Sequence, residues 1–469
     1  MRTSSYNTEP TPIASFLLGA VICSAILLAT LPGGNLINLG VSVVFVATVM
    51  FNAIAGRRAL WFSPELLVLV VWLCYSMIGT FIAADADIAM FKSLTMLQVL
   101  VLAFCVQQVV IWNRANSANL VVYGVAVSIS YLLTFTQFSA QEVAGAESVA
   151  GDVDRVASTL NDENTFGAVA LMGFSLALIA LAQNTKKTAV LPLGLLLIVL
   201  FAAVVNSGSR TAFLGAFLVF VGSVWAFKLW RGARLGKFLF SGLIAAVVCT
   251  GIFFAAKSIP EVEDRIEAVF SADSAIASRV EGFLNVLLSG DTKAEAGNSI
   301  DERVSMINAG LEVIADYPIV GVGLDNFRVV TGAGTYAHSN LIEVAASTGL
   351  VGFTIYHFIY VILTLRIFKL FKNNGASGTV ARLGLIGLMA YFLMDITRVS
   401  YYEKTSWIYF AMLSALVEVH WRELKAQRSQ DLPIRKRRRR RKKFAGSVGK
   451  VKGAETGFDD IDELFSENT

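Results

Sequence analysis

One arginine, Arg210, stands in the polar turn Asn206-Ser207-Gly208-Ser209-Arg210-Thr211 between two apolar runs. A guanidinium carries permanent charge and a planar fork of donors, the chemistry that grips a phosphate. A snorkelling arginine holding a lipid headgroup uses the same chemistry. Further on, Glu302-Arg303 opens a segment in which Val304, Ile307, Leu311 and Ile314 recur at helical spacing. It closes at Asp316-Tyr317-Pro318, and the run Ile319 to Phe327 follows, with Gly321 and Gly323 one residue apart. That spacing predicts a tight turn with close backbone approach. It is not a dinucleotide fingerprint, because the third glycine and the preceding strand are missing. Ala337-His338-Ser339-Asn340 then leads into a helical run from Leu341 to Thr348. A histidine at that helix start is a candidate general base near neutral pH, with a purely structural histidine as the alternative. Glu343, one helical turn from His338, is a candidate to orient the imidazole, with a solvated helix face as the alternative.

The elements around these residues belong to a membrane. Of 469 residues, 55% are hydrophobic and only 16% charged. The mean hydropathy is +0.63. Soluble domains carry about 25% charged residues. Apolar runs occur at 13–31, 36–54, 66–83, 93–111, 120–138, 166–182, 189–205, 211–227, 238–256, 349–367, 381–396 and 406–420. Each can cross a hydrocarbon core of ~30 Å as a helix. The expected fold is an all-α polytopic membrane protein of about twelve transmembrane helices.

The loop charges orient these spans. With the N-terminus cytoplasmic, the inward loops hold Arg57-Arg58, Arg114, Lys186-Lys187, then Lys228, Arg231, Arg234 and Lys237, then Arg366, Lys369 and Lys372. The outward loops hold Asp85 and Asp87, then Glu142, Glu147, Asp152 and Asp154. This alternation is the positive-inside pattern, and it places both termini in the cytoplasm. Arg210 is out of place in it, on an outward turn.

Two outward segments are long enough to carry function, 139–163 and 257–348. In the second, 279–288 and 302–316 read as amphipathic helices on the membrane surface or over the bundle, with packing helices of a small cap as the alternative. The chain thus divides into a bundle over 1–256, a helical outer loop carrying the site over 257–348, a bundle over 349–420, and a tail over 421–469 expected to be disordered. The tail holds the basic block Arg435 to Lys443 and then the acidic Asp459-Asp460-Ile461-Asp462-Glu463. A cytoplasmic block of this kind sets topology and touches anionic lipid, so no nucleic-acid partner is expected. Cys23, Cys74, Cys105 and Cys249 lie inside apolar runs, and His338, His357 and His420 have no cysteine partners, so no metal site is expected.

Arg303, Asp316-Tyr317-Pro318, Gly321-Val322-Gly323, Asn326-Phe327, His338-Ser339-Asn340 and Gly349-Leu350-Val351-Gly352 form an ordered set. This set resembles the signature of the O-antigen ligase and Wzy-type polymerase superfamily. Ser209-Arg210-Thr211 looks like that family's Ser-Arg-Thr turn. The stretch from Arg155 to Asn161-Asp162-Glu163-Asn164 is similar to its upstream Asn-containing element. The resemblance runs over roughly 150–370. In one respect the sequence departs from it: Ser339 separates His338 from Asn340, where the family often has the amide directly after the histidine.

The resemblance implies a GT-C-type glycosyltransferase of a bacterial inner membrane, acting on the periplasmic face. Its donor would be a glycan on undecaprenyl diphosphate, and its acceptor a hydroxyl of another glycan or of lipid A-core. Arg210 and Arg303 would bind the diphosphate, His338 would activate the acceptor, and Glu343, Asn340 and Arg155 would support them. The diphosphate is already a good leaving group, so neither a cofactor nor a metal is expected. A ligase of finished glycans and a polymerase of O-antigen or exopolysaccharide repeat units both fit. The alternative class is a twelve-span transporter or flippase. Against it, the two halves show no similarity and no matching interrupted helices.

Overall fold

Every predicted span that falls on described residues is helical. A computed structural model describes residues 11–29, 34–56, 58–133, 160, 162–184, 186–227, 297–332, 335–371 and 375–448. The span at 238–256, the helix at 279–288, most of the 139–163 loop and Arg155 lie outside them. The helices are α1 (Pro12–Leu27), α2 (Gly34–Ala55), α3 (Pro64–Gly79), α4 (Ala86–Trp112), α5 (Ser117–Leu133), α6 (Glu163–Gln183), α7 (Val190–Asn206) and α8 (Arg210–Ala226). They continue with α9 (Gly297–Asp316), α10 (Phe327–Val330), α11 (Asn340–Leu370), α12 (Ala376–Asp395) and α13 (Lys404–Val448). Among the described residues there is no strand.

Among the described residues, six helices are long and apolar enough to cross a membrane: α2, α3 with the turn to Ile82, α4, α6, α11 and α12. Four more, α1, α5, α7 and α8, are apolar but only 16 or 17 residues long. At 1.5 Å per residue these reach about 25 Å, just short of the ~30 Å core. The starts are capped as the residue types require. Ser63 Oγ accepts from Leu66 N–H at 3.1 Å, with Pro64 in the first turn. The Asp85 carboxylate accepts from Ile88 N–H at 3.0 Å, and Asp162 from Thr165 N–H at 2.8 Å. Such caps contribute about 1 kcal/mol each.

Two compact units divide the chain, Met1–Glu418 and Val419–Thr469. In the first, α6 is the central helix, packed against α5, α7, α8 and α12. Small residues make the close approaches, as lipid-embedded packing demands. A side chain at Gly167 would strike Ser207 and Ala212. Away from the site, Arg366 is ion-paired inside the bundle rather than free in an inward loop. It reaches Glu65 at 2.7 Å and Glu418 at 2.8 Å. The second unit carries a continuation of α13, which stays helical through the basic block where a disordered tail was expected.

The segment that matters most is α11, which is broken rather than continuous. Gly349 sits at φ +65° and ψ 179°, inside what would otherwise be one long helix. The break leaves the last carbonyls of the first half, 340–348, without helical partners. The Asp316–Gly323 stretch supplies them. Val322 N–H donates to Ala346 O at 3.0 Å and Gly323 N–H to Ser347 O at 2.9 Å. In return Leu350 N–H donates to Pro318 O at 2.8 Å. A Cβ at Gly349 would overlap the Ile319 carbonyl, and one at Gly321 would lie 2.5 Å from Ala346 O. The glycines are therefore there for close backbone approach. Replacing Gly349 by Ala adds left-handed strain to that overlap. We expect it to cost roughly 2–4 kcal/mol, seen as a fall of several degrees in thermal unfolding of the detergent-purified protein. An unchanged midpoint would contradict this reading of the break.

Candidate functional site

The turn, α9, α10 and the first half of α11 enclose one small apolar core of Val313, Val322, Phe327, Ala337 and Ala346. Met306, Ala309, Ile314 and Ile342 pack around it. α9 thus packs on this core through Met306, Ala309 and Val313. Val304, Ile307 and Leu311 stay exposed. Asn326 works as a backbone mimic: its amide oxygen accepts from Asp85 N–H at 2.7 Å and its amide nitrogen donates to Asp85 O at 3.0 Å. This ties the turn to the mouth of α4.

His338 sits just before α11, half-buried, at φ +52°. The left-handed region is uncommon for a non-glycine residue and costs of order 1–3 kcal/mol unless its surroundings enforce it. Glu343 does so. Its buried carboxylate accepts from Ala337 N–H at 2.9 Å and lies 3.5 Å from Ser347 Oγ. So Glu343 fixes the backbone that carries the histidine. The His338 ring lies against Tyr336, centroids 4.7 Å apart.

Asn340 is wholly buried and works as a joint. Its side-chain oxygen accepts from Ser400 N–H at 3.1 Å and Tyr401 N–H at 3.0 Å. Its amide nitrogen donates to Tyr356 Oη and Asp395, both at 3.3 Å. Its own N–H donates to Arg398 O at 3.1 Å. The extra residue, Ser339, frees Asn340 to turn inward in this way. The loop it holds, 396–403, contains a buried ion pair, Arg398 Nη1 to Glu403 Oε2 at 2.6 Å. Burial pushes the Glu403 carboxyl up against the pull of Arg398. Glu403 also accepts from Thr165 Oγ1 at 3.3 Å, at the start of α6.

Arg210 is exposed at the first position of α8. Ser209 is the N-cap, Gly208 takes φ +67°, and Ser207 Oγ accepts from Ser209 N–H at 3.2 Å. A cation on a helix N-terminus adds to the positive end of the helix dipole, so both favour an anion. Thr211 Oγ1 lies 3.1 Å from Thr397 Oγ1, one residue before Arg398. The Arg210 turn, the start of α6, the 396–403 loop and the His338 segment are thereby linked at one end of the bundle. Arg303 lies in α9, and its side chain is not among the described parts. Of the Asn161 to Asn164 element, Glu163 and Asn164 open α6 with Asp162 as its cap, and Asn161 lies outside the described residues.

Lys92 went unnoticed in the sequence. Its ammonium lies 3.1 Å from Asp325 Oδ2 and 3.9 Å above the Tyr402 ring centroid. Arg328 shares the same carboxylate oxygen at 3.0 Å. The signal was available: a lysine at the end of its span that the loop charges assign outward, as out of place under that assignment as Arg210.

Residues 195–357 match the family model described as O-antigen ligase, which supports a place for the chain in the O-antigen ligase and Wzy-type family. The matched stretch contains Arg210, Arg303, His338, Asn340 and Glu343, and stops short of the 396–403 loop that braces them. A search of curated proteins gave no match. The apolar helices and this domain support a multi-pass membrane protein with ligase- or polymerase-like function in polysaccharide synthesis.

Glutamine at 343 can still accept from Ala337 N–H, whereas alanine strands that donor. We expect Glu343→Ala to lower stability by about 1–3 kcal/mol and Glu343→Gln by less than half as much. Equal thermal midpoints for the two variants would refute the backbone role of Glu343.

Proposed function

We propose that the protein is a GT-C-type glycosyltransferase that moves a glycan from an undecaprenyl-diphosphate carrier to an acceptor hydroxyl on the periplasmic face of a bacterial inner membrane. The observation that carries the reading is the linkage, at one end of the bundle, of the Arg210 turn with the segment bearing His338. The loops involved all fall on the outward side when the spans are counted from a cytoplasmic N-terminus.

In this mechanism the acceptor hydroxyl gives its proton to His338 as its oxygen attacks the anomeric carbon of the donor. The bond from that carbon to the diphosphate oxygen breaks, and undecaprenyl diphosphate leaves with the electron pair. Arg210 and Arg303 stabilise the charge that develops on it. The fixed left-handed backbone at His338 holds the base in place before substrate arrives. The acceptor is a glycan or lipid A-core, and anionic lipid engages the basic tail. Twelve spans with both termini cytoplasmic complete the reading.

His338→Ala and Arg210→Ala should each reduce surface-glycan output at least a hundredfold while the protein still inserts and accumulates, as judged by glycan gels and immunoblots. Full output from both variants would rule out the transferase. Independently, a reporter that is active only outside the cytoplasm should be active when fused after Asp85 and silent after Lys186. The reverse pattern would overturn the orientation.

A further inference from the structure

One half-buried tyrosine, Tyr336, stands beside the histidine and another, Tyr402, lies in the loop that Asn340 holds, and nothing in the reaction above uses them. Tyr336 lies against the His338 ring, with centroids 4.7 Å apart and planes at 54°. Tyr402 comes from the 396–403 loop and meets Tyr401 edge-on at 5.0 Å. Lys92 sits over it at 3.9 Å. Asn340 Oδ1, two residues on from His338, accepts from Tyr401 N–H at 3.0 Å, which brings the Tyr402 loop to the His338 segment, and Lys92 joins Tyr402 to Asp325.

A membrane-interface belt also uses tyrosines, but there they stand at the headgroup level with their rings toward lipid. These two face charged groups and a histidine instead. Their composition suits a different ligand. A pyranose ring has an apolar face of C–H bonds and a rim of hydroxyls. Aromatic rings bury the face, and a few placed charges fix the rim. Lys92 donates and Asp325 accepts, and Arg328 can keep Asp325 paired while Lys92 turns to a hydroxyl.

We infer that Tyr336 and Tyr402, with Lys92 and Asp325 at the rim, form the subsite for the acceptor's terminal sugar ring beside His338. The inference rests on the transferase reading and adds to it the residues that recognise the acceptor. Tyr336 is then the residue that sets the ring against the base. Tyr402 makes the same loop that Asn340 anchors part of acceptor binding.

The test uses the full-length protein in detergent, its native lipid-linked donor at saturation, and acceptor glycan extracted from cells lacking this protein as the titrated probe. Tyr336→Ala and Tyr402→Ala should each raise the acceptor KM about tenfold, with the donor KM within twofold of wild type. Tyr336→Phe should keep both constants within twofold. Tyr336→Leu fills similar volume without a ring, and it should behave like Tyr336→Ala even if the alanine variant folds poorly. An unchanged acceptor KM in the Leu and Tyr402→Ala variants, or a fall in kcat alone, overturns the subsite while wild-type transfer leaves the transferase standing. No transfer by the wild-type protein overturns both.

Discussion

Three backbone hydrogen bonds at Gly349 hold the site together. They join Val322 to Ala346, Gly323 to Ser347, and Leu350 to Pro318. A helix cannot simply stop near a hydrocarbon core, because its orphaned carbonyls would cost several kcal/mol each. Here the orphans are met by a turn from the preceding segment. That single solution has wide effects. It fixes the end of α9, seats the small core around Phe327, and sets the start of α11 where His338 and Asn340 lie. Tyr75 reinforces it, donating to Ile319 O at 2.6 Å.

Charge then gives the assembled segments a purpose. Arg210 stands on a helix N-terminus, and Lys92 and Arg328 share one carboxylate. Arg398 has its own partner in Glu403 and acts through the loop it stiffens. These are distinct uses of the same charge. The ion-paired cations build the frame, and in the proposed reaction the exposed Arg210 on its helix start meets the anion. A reaction whose leaving group is already a diphosphate needs little else beyond a base and a surface for the acceptor.

Much of this was legible in the sequence. Apolar runs located most of the described helices, because membrane length dictates them, although α4 begins at Ala86 ahead of its run and α13 continues to Val448 beyond its own. The chemical residues stood out because a charge outside its expected side is costly. What could not be read depended on partners far along the chain. Asn340 looked like an amide near a catalytic histidine, and only the packed structure shows it bracing Ser400 and Tyr401. Gly349 looked like the first residue of a span, since a lone glycine in an apolar run carries no mark of a left-handed break. On α9 the stripe of Val304, Ile307 and Leu311 is exposed, while Met306, Ala309 and Val313 pack on the small core. Periodicity finds a stripe without saying what covers it.

The most direct measurement is release of undecaprenyl diphosphate from a lipid-linked glycan by the purified protein in liposomes, with chelator present and no nucleotide sugar. The account predicts release that depends on added acceptor and matches its glycosylation one for one. Release that ignores the acceptor, or acceptor glycosylation that requires a nucleotide sugar, would contradict it.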